Sequence, residues 1–146
     1  MPVMNIMIGV QASGKSSFVN SYLAESNTVS LDIVKTRYKE KFLLEELVNK
    51  REDIVVDNTN PTKKEREKYI KLAKENGYSI VGYYLKSSIK ECLTRNRNRE
   101  DSQRVPDLGV LGTYARLEIP ELSEGYDKLY YVYIKDNGFV VEEWGD

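Results

Sequence analysis

The sequence predicts an α/β domain: helices layered on a mainly parallel sheet of about five strands, closed by a C-terminal hairpin. Three observations lead there. Short apolar runs alternate with amphipathic stretches four times in succession, the pattern of repeated strand–helix units. The first run stops at a glycine motif that opens a helix, and a Tyr/Val-rich run late in the chain is followed by turn residues and a further strand. The 146 residues suit one core and contain no repeat, low-complexity segment or linker, so a single domain is expected over 1–146.

Taken in order, Val3–Ile8 (VMNIMI) is the continuous apolar run that a strand buried on both faces needs. A helix is expected over 15–25, with Phe18, Val19, Tyr22 and Leu23 on one face. A short strand over 28–31 ends at Asp32. Residues 33–50 read as helical, with Val34, Tyr38 and Phe42 stepping by four and Leu44, Leu47 and Val48 continuing the apolar side. DIVVD, 53–57, is the next strand. Asn60 as N-cap and Pro61 at the first helical position predict a helix that stops at Gly77. Ser79–Leu85 is a fourth strand, a fourth helix begins near Ser88, and a short helix over 108–117 precedes Pro120. The chain closes with strands at 128–134 and 139–144 around Asp136-Asn137-Gly138, because Asn-Gly favours a tight primed turn.

Composition excludes whole chemistries. Hydrophobic residues make up 40% and charged residues 31%, enough apolar material for a core and too little polar excess for a disordered chain. Zero histidines exclude a Ser-His-Asp triad, a Cys-His pair and imidazole-held zinc. Cys92 alone gives no intrachain disulfide and no thiolate metal cluster, which suits a reducing cytoplasm. No apolar run approaches the roughly 20 residues that span a bilayer, and MPVMNIMIGV lacks the basic flank of a signal peptide. Catalysis must therefore run on carboxylates, Lys, Arg, hydroxyls and backbone amides. Residues 1–117 carry 20 Lys+Arg against 15 Asp+Glu, and residues 118–146 carry 2 against 8. The larger part is mildly basic, which suits a phosphate-bearing ligand, and the acidic tail reads as a solvated surface.

Gly9-Val10-Gln11-Ala12-Ser13-Gly14-Lys15-Ser16 fits G-x-x-x-x-G-K-[ST], the P-loop, between an apolar strand and a helix. Its glycines let the backbone N–H groups of Gln11, Ala12, Ser13 and the helix start, with Ser17, turn around phosphates. Lys15 would reach the β- and γ-phosphates and Ser16 would ligate Mg²⁺. The alternative, a chance Gly/Ser-rich turn, must explain strand, spacing and helix together. Asp32 follows the second strand, where open α/β sheets bind ligands. It reads either as a base for an attacking hydroxyl or as the cap of a helix starting at Ile33. Asp57 ends the third strand like a Walker-B acid that holds Mg²⁺ or its waters, and Asn58 and Thr59 after it could orient the acceptor. Turn and cap chemistry explains the same cluster. Arg95, Arg97, Arg99 and Arg104 cannot share one helical face, so they surround a helix end. They read as a mobile lid over about 95–118 closing on the transferring phosphate, or as a solvated basic helix. Packing explains the eleven tyrosines more cheaply than base stacking does.

Assembled, these residues resemble the kinase domain of the 5′-hydroxyl polynucleotide kinases, P-loop kinases related to zeta-toxin-like proteins, over roughly 4–118. GVQASGKSS is similar to the family's P-loop, VDNTNP to its DNTNP segment, and RNRNRE with Val105-Pro106 to its lid. The resemblance implies a three-layer P-loop kinase fold, ATP and Mg²⁺ at Lys15 and Ser16, Asp32 as general base and Arg99 as the lid arginine. It also implies an arginine three residues after the aspartate to grip the acceptor phosphate. Lys35 stands there, with Arg37 two further on, and either could serve. The family's DxDGT-type phosphatase motif does not occur, which implies a kinase unit alone. The leading expectation is an ATP-dependent kinase of 5′-hydroxyl DNA or RNA ends. A small-metabolite or nucleotide-sugar kinase, or a non-catalytic ATP-binding regulator, are the alternatives.

Overall fold

The computed structural model describes residues 1–86 and 88–145. Its elements are β1 (Val3–Ile8), α1 (Lys15–Tyr22), β2 (Asn27–Val29), α2 (Leu31–Val34), α3 (Arg37–Asn49), β3 (Ile54–Val56), α4 (Lys63–Glu75), β4 (Ser79–Leu85), α5 (Ile89–Arg97), α6 (Asp107–Arg116), a 3-10 turn (Leu122–Glu124), β5 (Lys128–Lys135) and β6 (Gly138–Glu143). The strands form one sheet in the order β2-β3-β1-β4-β5-β6, the first five parallel and β6 antiparallel to β5. The expected hairpin is therefore no appendage. Its first strand is the fifth parallel strand, and its second makes a sixth.

Alternation along β1 defines the layers. Met7 packs with Phe18 and Val19 of α1, while Met4, Ile6 and Ile8 pack with Leu44, Val48, Tyr69, Ile70 and Ala73 of α3 and α4. Helices thus cover both faces of the sheet. Each fully buried apolar side chain contributes about 1.5–3 kcal/mol, and the central strands β1 and β3 are buried along nearly their whole length.

Two expectations are corrected. The helix expected over 33–50 is two helices. Ser30 caps α2 by accepting the Asp32 N–H at 3.2 Å, Lys35 takes a left-handed φ of 75° that ends α2, and Thr36 caps α3 by accepting the Lys39 N–H at 3.1 Å. Restarting at Arg37 changes which face is inside: α3 buries Glu40, Leu44 and Val48, while Tyr38 and Phe42 are 71% and 57% exposed. The buried line contains a carboxylate, and that is why periodicity passed over it. Secondly, α4 is capped by Thr62, not Asn60. Asn60 is instead left-handed (φ 46°) and buried, its amide donating to the Met7 carbonyl at 2.7 Å. The C-terminal hairpin forms as expected, its tight turn centred on Asp136 and Asn137, both at positive φ, with Gly138 pairing with Lys135. Gly77 (φ 71°) ends α4 as expected, and α1 stops three residues short of the expected end at 25.

One buried charge ties these parts together. Arg66 on α4 has no exposed surface. It donates to both Glu124 carboxylate oxygens, at 2.9 and 3.2 Å, and to the carbonyls of Asn60 (2.9 Å) and Glu118 (3.2 Å). Arg66→Met strands Glu124 and should lower stability by about 3–5 kcal/mol, whereas Arg66→Met with Glu124→Leu should recover much of the loss. Urea unfolding midpoints of the two variants check this.

Candidate active site

In this topology β1, β2, β3 and β4 all point their carboxyl ends at one edge of the sheet, and β1 is flanked by strands reached in opposite directions. The loop after β1 is the P-loop. A Cβ on Gly9 would stand 2.8 Å from Ser13 Oγ and 2.9 Å from the Leu85 carbonyl, so only glycine fits. Gly14 adopts φ 105° beneath Ile134 and Phe139, which turns the chain into α1. Lys15 Nζ donates to the Val10 carbonyl at 2.7 Å, folded back into its own loop. Burial lowers its pKa to about 8, opposed by Asp57 and assisted by the positive charge of Arg99. Ser16 Oγ donates to Asp57 Oδ2 at 2.9 Å, joining the loop to the end of β3. Burial pushes the Asp57 carboxyl up, and the Ser16 hydrogen bond and Lys15 oppose it. Ser17 lies exposed in the first turn of α1.

The expected lid segment meets the P-loop from α5 and α6. Arg95 Nε donates to the Ala12 carbonyl at 2.7 Å, and Gln11 Nε2 donates to Thr113 Oγ1 at 3.1 Å. Arg95 Nη2 and Gln11 Oε1 are buried without a hydrogen-bond partner among the described residues. Arg97 and Arg104 form exposed ion pairs with Asp107 and Asp101, so they belong to the solvated surface. Arg99 makes a 3.5 Å contact to the Gln103 carbonyl, and its charge is felt at Lys15. Asn96, fully buried, accepts from the Val105 N–H at 3.0 Å and donates back to the Val105 carbonyl, closing the loop between α5 and α6. A buried asparagine in an Arg-Asn-Arg-Asn run gives no sequence signal of that role.

On the opposite side, Asp32 is exposed and its carboxylate has no hydrogen bond or ion pair among the described residues. The helix it was a candidate to cap is capped by Ser30. Its negative charge acts on both Lys15 and Asp57. Lys35 is likewise exposed and without an ion pair among the described residues. Arg37 is engaged: it donates to Glu40 (3.1 Å) and to the Tyr69 hydroxyl (3.0 Å). Asn58 accepts from the Leu31 N–H at 2.9 Å and donates to Glu40 at 3.0 Å and to Tyr69 at 3.3 Å. Thr59 contributes its carbonyl to the Gly9 N–H at 3.0 Å. Glu40 also receives the Tyr69 hydroxyl (3.0 Å), and burial with that carboxylate alongside pushes the Tyr69 phenol up. Sequence reasoning missed Glu40, Asn96 and Arg66.

A cleft of about 890 Å³ lies elsewhere, between α6 and β5–β6, lined by Tyr84, Tyr114, Tyr131 and Trp144 together with Glu142, Glu143 and a single cation, Lys86. Two carboxylates against one ammonium leave that cleft net negative, so the P-loop edge is the better anion site. There the ammonium of Lys15 and the unpartnered Arg95 nitrogen suit a polyphosphate. No group of three or more acidic, His or Cys ligands exists among the described residues. Ser16 and Asp57 offer two oxygens, the small protein share that Mg²⁺ takes when phosphates supply the rest.

Holding Lys15 desolvated costs the nucleotide-free protein stability. Its folded pKa, about 8, lies below the unfolded value of 10.5, so between them the unfolded chain binds more protons and stability rises with pH. Below pH 8 the cost is present in full; above 10.5 it is gone. Lys15→Met should therefore stabilise the nucleotide-free protein at pH 7 by on the order of 1–3 kcal/mol, a gain that fades as pH climbs through that window. Unfolding free energies measured from pH 7 to 10.5 test both sign and window.

Comparison with known proteins adds identity to this geometry. The chain is 29% identical over 137 residues to the "Bifunctional polynucleotide phosphatase/kinase" of Schizosaccharomyces pombe, covering 89% of this chain and 33% of that protein. It is 33% identical over 134 residues to a "Putative bifunctional polynucleotide phosphatase/kinase" of Acanthamoeba polyphaga mimivirus, covering 86% and 32%. An "L-seryl-tRNA(Sec) kinase" of Methanococcus maripaludis is 25% identical over 142 residues, 84% of this chain and 55% of that one. The chain thus spans about a third of the first two relatives and about half of the third. In fold, it matches the AvrRxo1-ORF1:-ORF2 structure with ATP at a TM-score of 0.75 and 16% identity, over 97% of this chain and 57% of that one. The AAA domain family matches residues 36–118, more than half of the chain. On that match, the chain belongs to the AAA domain family.

Proposed function

We propose that this chain is an ATP-dependent kinase that phosphorylates the 5′-hydroxyl end of DNA or RNA. The observation that carries the reading is an exposed Asp32 carboxylate, unpaired among the described residues, on the same sheet edge as Lys15 and the Ser16–Asp57 pair and close enough to influence both charges. A nucleotide-binding regulator has no use for a free carboxylate there. The names of the two polynucleotide kinase relatives support the acceptor class.

In this reading the P-loop amides and Lys15 hold the phosphates of ATP, with Arg95 and Arg99 approaching from the lid. Ser16 and Asp57 would hold Mg²⁺, which when bound neutralises phosphate charge. The acceptor oxygen bonds to the γ-phosphorus, the bond to the β–γ bridging oxygen breaks, and the hydroxyl proton passes to Asp32. Lys15 and Arg99 lower the barrier by presenting fixed positive charge where negative charge builds. Asn58 acts by position: its grip on the Leu31 N–H sets the turn that carries Asp32. Between the two candidates for the acceptor phosphate, Lys35 is the one without an ion pair among the described residues. Arg37 serves Glu40 and Tyr69 instead. The relative named L-seryl-tRNA(Sec) kinase supports a second reading with a different hydroxyl acceptor.

Transfer of labelled γ-phosphate to a panel of 5′-hydroxyl oligonucleotides, nucleosides, sugars and seryl-tRNA separates the readings, and exclusive labelling of the last two classes would overturn the first. Asp32→Asn should lower kcat by about 10²–10⁴-fold, the usual worth of a general base, with ATP affinity unchanged. Because Ser30 is the cap, loss of a helix cap cannot mimic that effect. Lys35→Ala should raise KM for a 3′-phosphorylated nucleotide but not for a bare nucleoside. Arg37→Ala should instead lower the unfolding midpoint, and paired steady-state and unfolding measurements distinguish the two.

A further inference from the structure

The aromatic face that α3 turns to solvent has no part in the reading above. Tyr38 and Phe42 are 71% and 57% exposed, and their rings meet edge to face with centroids 4.9 Å apart. Ile33, 67% exposed, stands directly after Asp32 in the preceding turn. The helix does not need these residues to hold its place, since Glu40, Leu44 and Val48 already anchor it. Single exposed apolar residues are ordinary, but here three fall within ten residues, two of them in ring contact, beside an exposed carboxylate that is unpaired among the described residues.

Charge indicates what covers it. Lys35, Lys39 and Lys41 interleave with the rings, are exposed, and form no ion pair among the described residues. Arg37 in the same stretch is neutralised by Glu40. Acidic groups bound the patch: Asp32 at one end, and Glu45 and Glu46 one turn beyond Phe42, the latter paired with Lys50. Exposed rings separated by uncommitted ammonium groups match a single-stranded nucleic acid, whose bases stack and whose phosphates seek cations. The acidic boundary limits the footprint to one or two bases.

We infer that Ile33, Tyr38 and Phe42 form a stacking platform for the first bases of a single-stranded acceptor, with Lys35, Lys39 and Lys41 on its phosphates. This rests on the polynucleotide reading of the site and deepens it: the platform favours an acceptor whose end is unpaired over a blunt duplex.

The test is binding, not activity alone. A 5′-hydroxyl single-stranded oligonucleotide, fluorescein-labelled at its 3′ end, is titrated with wild type, Tyr38→Ala, Phe42→Ala and the double variant. A matching oligonucleotide with abasic sites at its first two positions runs alongside. Wild type should bind the intact strand about 5–30-fold more tightly than the abasic one, and the double variant should bind both equally weakly. ATP affinity should not change in any variant, which reports that each is folded. Equal affinity of wild type and double variant for the intact strand overturns the platform, whether or not the chain phosphorylates oligonucleotides. Loss of concentration-dependent self-association in the variants, with strand binding intact, also overturns it and makes the face an interface between copies. Platform-dependent binding without any phosphorylation of the strand upholds the platform and sinks the kinase reading.

Discussion

The active edge of this sheet hangs from a buried guanidinium. Arg66 reaches the carbonyl of Asn60, and Asn60 in turn holds the Met7 carbonyl near the end of β1, one residue before the strand gives way to the P-loop. The same guanidinium fixes Glu118, just past α6, and Glu124 before β5. Three stretches far apart in sequence therefore share one rigid donor fork. A lysine could not replace it, because a point charge cannot reach four acceptors in one plane. Burying such a pair is weak evidence for net stability, and its value here lies in register: it sets where loops after β1 and β3 stand relative to each other.

What that frame supports is costly in itself. Lys15 is desolvated, Asp57 is pushed toward its neutral form, and polar atoms of Gln11 and Arg95 are buried without partners among the described residues. A chain selected for stability alone would replace each of them. Their coincidence within one loop and its neighbours is the mark of a site that waits for a dense anionic ligand to satisfy it. Desolvated charge gathers at the P-loop, while β1 and β3 beside it are buried along nearly their whole length.

Much of the fold was legible because strands buried on both faces advertise themselves. VMNIMI and SIVGYYL leave no alternative to a central strand, and their boundaries in the structure match the apolar runs. The P-loop was equally plain, since glycine spacing, strand and helix agree. The turn between Asp32 and Thr36 was not. Helical periodicity runs unbroken through it, and a left-handed lysine such as Lys35 carries no compositional mark. Asn60-Pro61 misled for a related reason. Its residues favour a helix start, but the Asn60 side chain is worth more holding Met7, and Thr62 is as good a cap two residues later. Arg66, Glu40 and Asn96 stayed invisible because a polar residue declares itself buried only once its partners, up to 58 residues away, are in place.

The break at Lys35 links fold to function most directly. Had 33–50 been one helix, Val34, Tyr38 and Phe42 would have faced the sheet and Asp32 would have been fixed to a long rigid rod. Breaking the chain lets Ser30 and Asn58 hold the short turn of Asp32 to the end of β3, while Glu40, bonded to the same Asn58, sets the rotation of α3. The carboxylate and the aromatic face are thereby aimed separately, one by the sheet and one by the α3–α4 contact. Glu40 is the joint between them, since it accepts from both Asn58 and Tyr69. A buried carboxylate that must be satisfied from two sides leaves only one arrangement of those sides. It is through this constraint, and not through helical propensity, that α3 comes to show its rings to solvent.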